Sequence, residues 1–485
     1  MPRLPPWLFR RAGKISPHLA TLLPTCRTVE SARSELRWIR HHVLQHPLQR
    51  QFTPGEGGGT RACGSAIHGR RGKKKKKNSR RSRSKARTPL KPEPSDAEYR
   101  IARLVARRGA GEPLQYVLGS QPFGTLDILC RKGVLIPRPE TEAWATVLAR
   151  LMSSSGLLAR KCSEGEEEGL RILDLCSGTG CIGLSLYASG LDCLKSQRRS
   201  KGYGLRPPRV FGFDVSARAV RLAQKNILHN ARLKNLLYDH DHNSSEEIIK
   251  KYITFQKADI FTDDWMASLH PTAPAPSPSS PSADKDTSAS NGGENTPPRP
   301  DRDAEGLRGR IDILVSNPPY ISQRGFAADT ERSVRNHEPK LALVPPASPA
   351  AAAAVPLGAA RAPEDVFYAR LLDVARALRP RVAAFEVGGM AQARRVVQMA
   401  IARCRAQDLD TINEGGAGEV GKGRRARWEV VEIWRDWPDC QPAEDEAGVV
   451  AVCGKKVPVR GSGHGRVVFL AERPVYALND LPSRA

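Results

Sequence analysis

The 485-residue chain has few aromatic residues, 6% of the total, and its hydrophobic content is only 40%. Both values are low for a wholly globular chain of this length and predict that stretches of it stay outside any packed core. No apolar run reaches membrane-spanning length, so no transmembrane helix and no membrane partner are expected. The ten cysteines include no C-x-x-C pair that could join histidines in a zinc site, so no structural metal is expected. Scattered cysteines fit a reducing compartment. Acidic residues are the scarcer charge, 51 against 77 Lys and Arg, which leaves a net charge of +26. Such an excess favours contact with an anionic surface (nucleic acid, a ribosome or a membrane) and leaves the fold open.

Much of that excess sits in one segment, Arg70 to Arg87, reading RRGKKKKKNSRRSRSKAR. A solvated insertion is the plainer reading of such a run; a nuclear address or an RNA-binding arm are the sharper ones. The first acidic residue is Glu30, preceded by Arg3, Arg10, Arg11, Lys14 and Arg27 among apolar residues. This composition resembles a mitochondrial targeting segment, with an ordinary basic helix of the folded domain as the alternative. Proline and glycine are plentiful and clustered. They mark low-complexity stretches at 51–96 and about 270–308, with others near 195–209, 345–363, 413–427 and 439–465. All fall between expected elements, where extra loop length adds little closure entropy.

Hydrophobic spacing supplies the elements. Residues 19–46 carry Leu22, Val29, Leu36, Ile39 and Val43 at near-helical intervals, and a short helix is expected over Ala97 to Arg108. From Arg171 onward strands and helices alternate. RILDL (171–175), VFGFD (210–214), 253–256, IDILVS (311–316) and VAAFEV (382–387) read as strands, and Ser216 can cap the helix that carries Val220, Ala223 and Ile227. Helices follow over 364–378 and around Val396 to Ile401. Two last strands, 428–433 and 466–470, have no helix between them. The pattern predicts an α/β fold with a mostly parallel sheet covered on both faces and an antiparallel edge.

Three segments carry chemistry. Asp174-Leu-Cys176-Ser177-Gly178-Thr179-Gly180 stands between a strand and a helix, where glycines let backbone approach a ligand closely. The same turn suits a dinucleotide, a nucleoside cofactor or a tight bend. Cys176 and Cys181 flank it as small packing residues. Asp214 ends the next strand, where an acid can accept hydrogen bonds from ribose hydroxyls or merely face solvent. Asn317-Pro318-Pro319-Tyr320 directly follows IDILVS and is far more specific. The prolines stiffen the backbone and remove two N–H donors, Asn317 offers an amide oxygen, and Tyr320 offers an aromatic face. Together they can hold a planar NH2 group at the carboxyl end of a strand, where such sheets bind ligands.

DLCSGTG, the acid of FGFDVS, KADIF and SNPPY, in that order, are similar to the class I methyltransferases that act on planar amino groups. GEPLQYVLGSQPFGTLDILCRKGVLIPRPETE (111–142) and HEPKLAL (337–343) narrow the likeness. They resemble the release-factor glutamine methyltransferase family (HemK/PrmC), which carries P-x-Q-Y-x-x-G, I-P-R-P-E-T-E and E-P-x-x-A-L stretches. CRTVESARSELRWIRHH resembles its fungal mitochondrial members. The resemblance spans the beginning, the middle and the final sheet, and leaves out the inserts.

It implies a class I, Rossmann-like, seven-stranded sheet with an antiparallel last strand, and a small N-terminal helical domain. It also implies S-adenosyl-L-methionine as cofactor and transfer of its methyl group to N5 of the glutamine in a Gly-Gly-Gln motif of a peptide chain release factor. Carried onto this chain, Asp174, Cys176, Ser177, Gly178, Thr179 and Gly180 form the cofactor turn. Asp214 holds the ribose, Asp259 and Ile260 flank the adenine, and Asn317, Pro318, Pro319 and Tyr320 hold the substrate amide. The family usually has glycine where Cys176 stands and often an aromatic residue where Ile260 stands. PRPETE is expected near cofactor and substrate, or as the start of a helix favoured by Glu140 and Glu142.

The expected division is 1–50, a targeting or helical region; 51–96, a basic linker; 97–142, the rest of the helical domain and a connecting segment; and 143–485, the methyltransferase domain. A monomer in the mitochondrial matrix is expected, with a nuclear or cytoplasmic location as the alternative. An N6-adenine methyltransferase acting on RNA or DNA competes, because adenine also presents a planar NH2 and the basic run would grip phosphate. A non-catalytic RNA-binding protein on the same scaffold is the third reading.

Overall fold

A computed structural model describes residues 3–45, 96–154, 169–201, 206–237, 246–269, 311–346, 362–414 and 428–474. The basic run at 70–87, the insert at about 270–308 and most of the stretches at 345–363 and 413–427 lie outside the described residues. The chain divides into two compact units, Met1–Leu118 and Gly119–Ala485. The expected segment 97–142 is therefore shared between them. Its first part is helical and packs with the amino-terminal helices, and the rest forms a hairpin and the start of a helix in the second unit.

The first unit contains α1 (Pro6–Ile15), α2 (Pro17–Cys26), α3 (Val29–Gln45), α4 (Asp96–Gly109) and α5 (Leu114–Leu118). Ser16 accepts a hydrogen bond from the His18 amide at the head of α2, and Thr28 does the same for Ser31 at the head of α3. Leu19, Leu22 and Leu23 of α2 are buried with Val29, Leu36, Ile39 and Val43 of α3 and with Leu104 and Val105 of α4. Ala12 joins them, so the segment with targeting-like composition forms helices that contribute to this core. Arg108 clasps Glu35 with two hydrogen bonds of 2.6 and 2.8 Å, a bidentate pair tying α4 to α3.

The second unit opens with an antiparallel hairpin, β1 (Ser120–Phe123) and β2 (Leu126–Leu129), and α6 (Pro139–Ser154). Then follow β3 (Arg171–Leu175), α7 (Cys181–Lys201), β4 (Arg209–Asp214), α8 (Ala217–Arg232), α9 (Glu246–Tyr252), β5 (Ile253–Lys257), β6 (Ile313–Ser316), β7 (Val382–Glu386), β8 (Val430–Trp437), β9 (Val449–Val452), β10 (Lys455–Arg460) and β11 (Ser462–Ala471). Helices Val366–Leu378 and Met390–Glu414 flank β7. The sheet order is β5-β4-β3-β6-β7-β11-β8-β10-β9. The first five strands are parallel, and β11 runs antiparallel between β7 and β8.

The seven strands from β5 to β8 match the expected sheet with its antiparallel last strand. Two more extend it, because 439–465, read as low complexity, holds β9 and β10. Val450, Val452, Val457 and Val459 alternate inward there and join the core. That period of two was present in the sequence but short and interrupted by Gly454 and Pro458. The stretch near 195–209 is likewise part helix, since α7 runs on to Lys201.

Alternate residues of the central strands fill two cores. Ile172, Val210, Ile313 and Val315 face α6, α7 and α8. Leu173, Phe213, Leu314 and Phe385 face the two later helices. One contact in this packing bears directly on the cofactor turn. The Phe255 ring lies where a Cβ on Gly212 would approach it to 2.1 Å and one on Gly180 to 2.6 Å. Only bare backbone lets that ring close over β4 and the end of the turn. Replacing Gly212 by alanine is expected to cost about 1–3 kcal/mol through overpacking. The fall in Tm should come with shifted backbone amide resonances at Gly178 and Gly180 by NMR, because the displaced ring reaches Gly180.

Candidate functional site

The carboxyl ends of β3, β4, β5 and β6 surround a cavity of about 200 Å³. Cys176 and Gly178 line it from the turn after β3, and Asp214, Val215, Ser216 and Ala219 from the end of β4 and the start of α8. Ala258, Asp259, Ile260 and Phe261 line it after β5, and Asn317 and Pro319 after β6. Of the other expected site residues, Asp174, Ser177 and Thr179 are buried, and Gly180 contacts Phe255. Pro318 and Tyr320 also lie off the cavity wall.

The turn is built from left-handed backbone. Cys176, Gly178 and Gly180 have φ of 60°, 56° and 78°. Glycine adopts this conformation freely, whereas a side chain at Cys176 costs about 1–2 kcal/mol. A Cβ on Gly178 would meet nothing within 4 Å, so the backbone there faces open space in which a ligand can approach. The Gly178 amide donates to Asp214 Oδ2 at 2.9 Å, and the Ser216 amide donates to Oδ1 at 2.8 Å. One carboxylate thus fixes both the turn and the head of α8, where Ser216 also caps Ala219 as its sequence position predicts. Burial pushes the Asp214 pKa up against these two amides.

Asp174 has a different role from a ligand at the cavity wall. It is fully buried, and its Oδ2 accepts the Gly183 amide at 3.0 Å near the head of α7. Its Oδ1 and the Ser177 hydroxyl have no hydrogen-bond partner in the protein. Burial raises its pKa to about 7, with the charge of Asp214 adding to the rise and the Gly183 bond opposing it.

After β5, Asp259 Oδ1 accepts the Phe261 amide at 3.0 Å. Ile260 is packed into the core with Phe213 and Trp265 while still reaching the cavity. Its neighbour Phe261 supplies an aromatic ring to the wall and meets Phe367 edge-on at 5.0 Å. Ile260 and Phe261 therefore stand side by side in the wall.

Further residues were missed. Glu338 of the HEPKLAL stretch is buried; its Oε2 accepts the Ile136 amide at 3.0 Å and its Oε1 accepts from Arg138 at 2.7 Å. That carboxylate joins two motifs 200 residues apart and holds 133–139 beside the cavity. Asn226 and Asn230 of α8 act as substitutes for a neighbouring strand. Their Oδ1 atoms accept the Leu129 and Asp127 amides of β2, and Asn226 also donates to the Thr179 carbonyl at 2.9 Å. An N-x-x-x-N spacing on a helix was the sole signal. Glu386, at the end of β7, is buried and accepts hydrogen bonds from Thr141, Trp144 and Tyr320.

The apolar walls, the open backbone at Gly178 and the acid at Asp214 fit a nucleoside cofactor. A pH effect follows from Asp174. Its folded pKa of about 7 lies above the ordinary value of 3.8, so the folded state holds this proton more tightly. Its stabilising contribution is complete below the lower value and is lost as pH rises through the higher one. Asp174→Asn cannot lose that proton. Its Tm relative to wild type should therefore rise between about pH 4 and pH 7 and level off above, as read by calorimetry. A gap that stays flat across this range would show that the carboxyl is not held neutral.

No family model matches the chain. Mitochondrial MRF1 N(5)-glutamine methyltransferase MTQ1 of Saccharomyces cerevisiae is 29% identical over 71% of this chain and 68% of its own length. A probable MRF1 mitochondrial N(5)-glutamine methyltransferase of Schizosaccharomyces pombe is 31% identical over 50% and 55%. A release factor glutamine methyltransferase of Agrobacterium fabrum is 29% identical over 53% and 59%. The chain thus spans between about half and two thirds of the length of these relatives. Among solved structures, the N-terminal domain of human METTL16 in complex with SAH covers 75% of this chain and 82% of its own at 12% identity. Its TM-score of 0.32 is too weak a likeness to add to the strand order. The chain is thus similar to release factor glutamine methyltransferases of both fungi and bacteria.

Proposed function

We propose that this chain transfers a methyl group from S-adenosylmethionine to the side-chain amide nitrogen of the glutamine in the Gly-Gly-Gln motif of a mitochondrial peptide chain release factor. The observation that carries the reading is the position of Asn317. It follows β6 and lines the same cavity as Gly178 and Asp214, so an amide held there meets a cofactor held by the turn. The names of the fungal relatives support the mitochondrial release factor as substrate.

The cofactor supplies an electrophilic methyl group on a sulfonium. Gly178 gives it close backbone approach, Asp214 accepts from the ribose, and Ile260 and Phe261 pack against the adenine. A glutamine amide nitrogen is a poor nucleophile because its lone pair is delocalised into the carbonyl. Asn317 Oδ1 and the Pro318 carbonyl would accept its two hydrogens, which would orient the nitrogen toward the bound cofactor and raise its electron density. Tyr320 stacks on the amide plane. Positioning and electrostatics supply most of the rate, and no base is required before transfer, since the proton leaves afterwards.

Labelled S-adenosylmethionine and purified mitochondrial release factor, followed by mass spectrometry of the Gly-Gly-Gln loop, test this directly. The methyl group should appear on that glutamine. Asn317→Ala should lower kcat on the order of 10²–10³-fold, with cofactor affinity largely kept. Transfer to RNA or DNA instead of the release factor would favour the adenine reading and give the basic run at 70–87 a role.

A further inference from the structure

Asn317 has to present its amide oxygen, and not its NH2, to the substrate. A side-chain amide can flip end for end at little steric cost, so something must set its orientation. The neighbours of Asn317 supply that constraint. Asn317 Nδ2 donates to Thr141 Oγ1 at 3.4 Å, and Thr141 donates to Glu386 Oε2 at 2.7 Å. The Trp144 indole N–H donates to the same Oε2 at 2.8 Å, and the Tyr320 hydroxyl donates to Oε1 at 3.2 Å. Thr141, Trp144 and Glu386 do not line the cavity. Glu386 is 1% exposed and Thr141 2%.

We propose that Glu386, acting through Thr141, is a positioning device that holds the Asn317 amide with its oxygen toward the substrate and fixes Tyr320 beside it. The logic follows from donor counts. Thr141 has one hydroxyl hydrogen, and the carboxylate takes it. Only lone pairs of Thr141 then face Asn317, and only the NH2 end of an amide can meet them. The oxygen of Asn317 is left pointing the other way. Burial raises the Glu386 pKa, but the bonds from Trp144, Thr141 and Tyr320 and the charge of Arg466 all favour its ionised form. Arg466 is itself anchored by Asp436 at 2.7 Å. Thr141 is the threonine of the PRPETE segment, so this relay gives that segment a defined task.

The relay rests on the glutamine-methylation reading, and the test separates the two. Wild type, Thr141→Val, Thr141→Ser and Glu386→Gln are compared as full chains, with release factor as substrate. Valine matches threonine in shape and removes the hydroxyl; serine restores the hydroxyl without the methyl. Thr141→Val should lower kcat roughly 10- to 100-fold, the scale of a misplaced reacting group, while the Kd for S-adenosylmethionine stays near wild type and Tm falls by the loss of one of the three donors to Glu386. Thr141→Ser should recover most of that loss. Glu386→Gln keeps its carbonyl oxygen toward Thr141 and the donor-only indole of Trp144 and turns its NH2 to the Tyr320 hydroxyl, which can accept. The relay to Asn317 survives, so this variant should turn over far faster than Thr141→Val. Should Thr141→Val fail to fold, Thr141→Ala carries the same comparison. Wild-type turnover in Thr141→Val, or a Glu386→Gln as slow as Thr141→Val, would overturn the relay and leave the methylation reading standing. So would a loss in Thr141→Val that Thr141→Ser does not recover, or one matched by lost cofactor binding. Absence of transfer to glutamine by the wild-type chain would overturn the reading and the relay together.

Discussion

The strand order reverses at β3, and the site depends on that reversal. β4 lies on one side of β3 and β6 on the other. Chain segments leaving these strands therefore diverge at their carboxyl ends and open a crevice, as parallel sheets do at such a point. The turn after β3 and Asp214 after β4 stand on one side of the crevice, and Asn317 after β6 on the other. The glycine turn and Asn317 meet at one cavity because adjacent parallel strands end at one level, although 136 residues separate Asn317 from Cys181 at the start of α7.

Buried polar ties convert this layout into fixed geometry. Asp214 joins the cofactor turn to α8, Glu338 joins the segment before α6 to the chain after β6, and Glu386 joins α6 to the NPPY tetrad. In each, both carboxylate oxygens accept hydrogen bonds, those of Asp214 and Glu386 from separate parts of the chain and those of Glu338 from Ile136 and Arg138 of one segment. Such ties are effective in a low-dielectric interior because a lost partner leaves a costly unpaired acceptor. The segments 111–142 and 337–343 both line the site and brace it: Gly133, Val134 and Leu135 from one and Pro339, Leu341 and Ala342 from the other stand in the cavity wall, and Glu338 ties the two together.

The parts legible in the sequence were those with a local signature. RILDL, VFGFD and IDILVS appear as strands within a residue or two of expectation, and Ser216 caps α8. The glycine turn, Asp214 and Asn317 lie where the strand ends place them. Pairings between distant side chains had no such signature. Nothing local to Glu386 or Glu338 announces three or two donors arriving from elsewhere in the chain. The β9–β10 pair was hidden because short alternations of valine among Lys, Gly and Pro resemble low complexity. Phe261 was passed over because the resemblance pointed to the Ile260 position beside it.

The central claim is that this chain methylates the release-factor glutamine, and its most direct test is in cells. Mitochondrial release factor purified from cells lacking this chain can be digested and its Gly-Gly-Gln peptide weighed by mass spectrometry. The account predicts that the glutamine carries no methyl group and regains it when the chain is re-expressed. A glutamine that remains methylated in its absence would contradict the account.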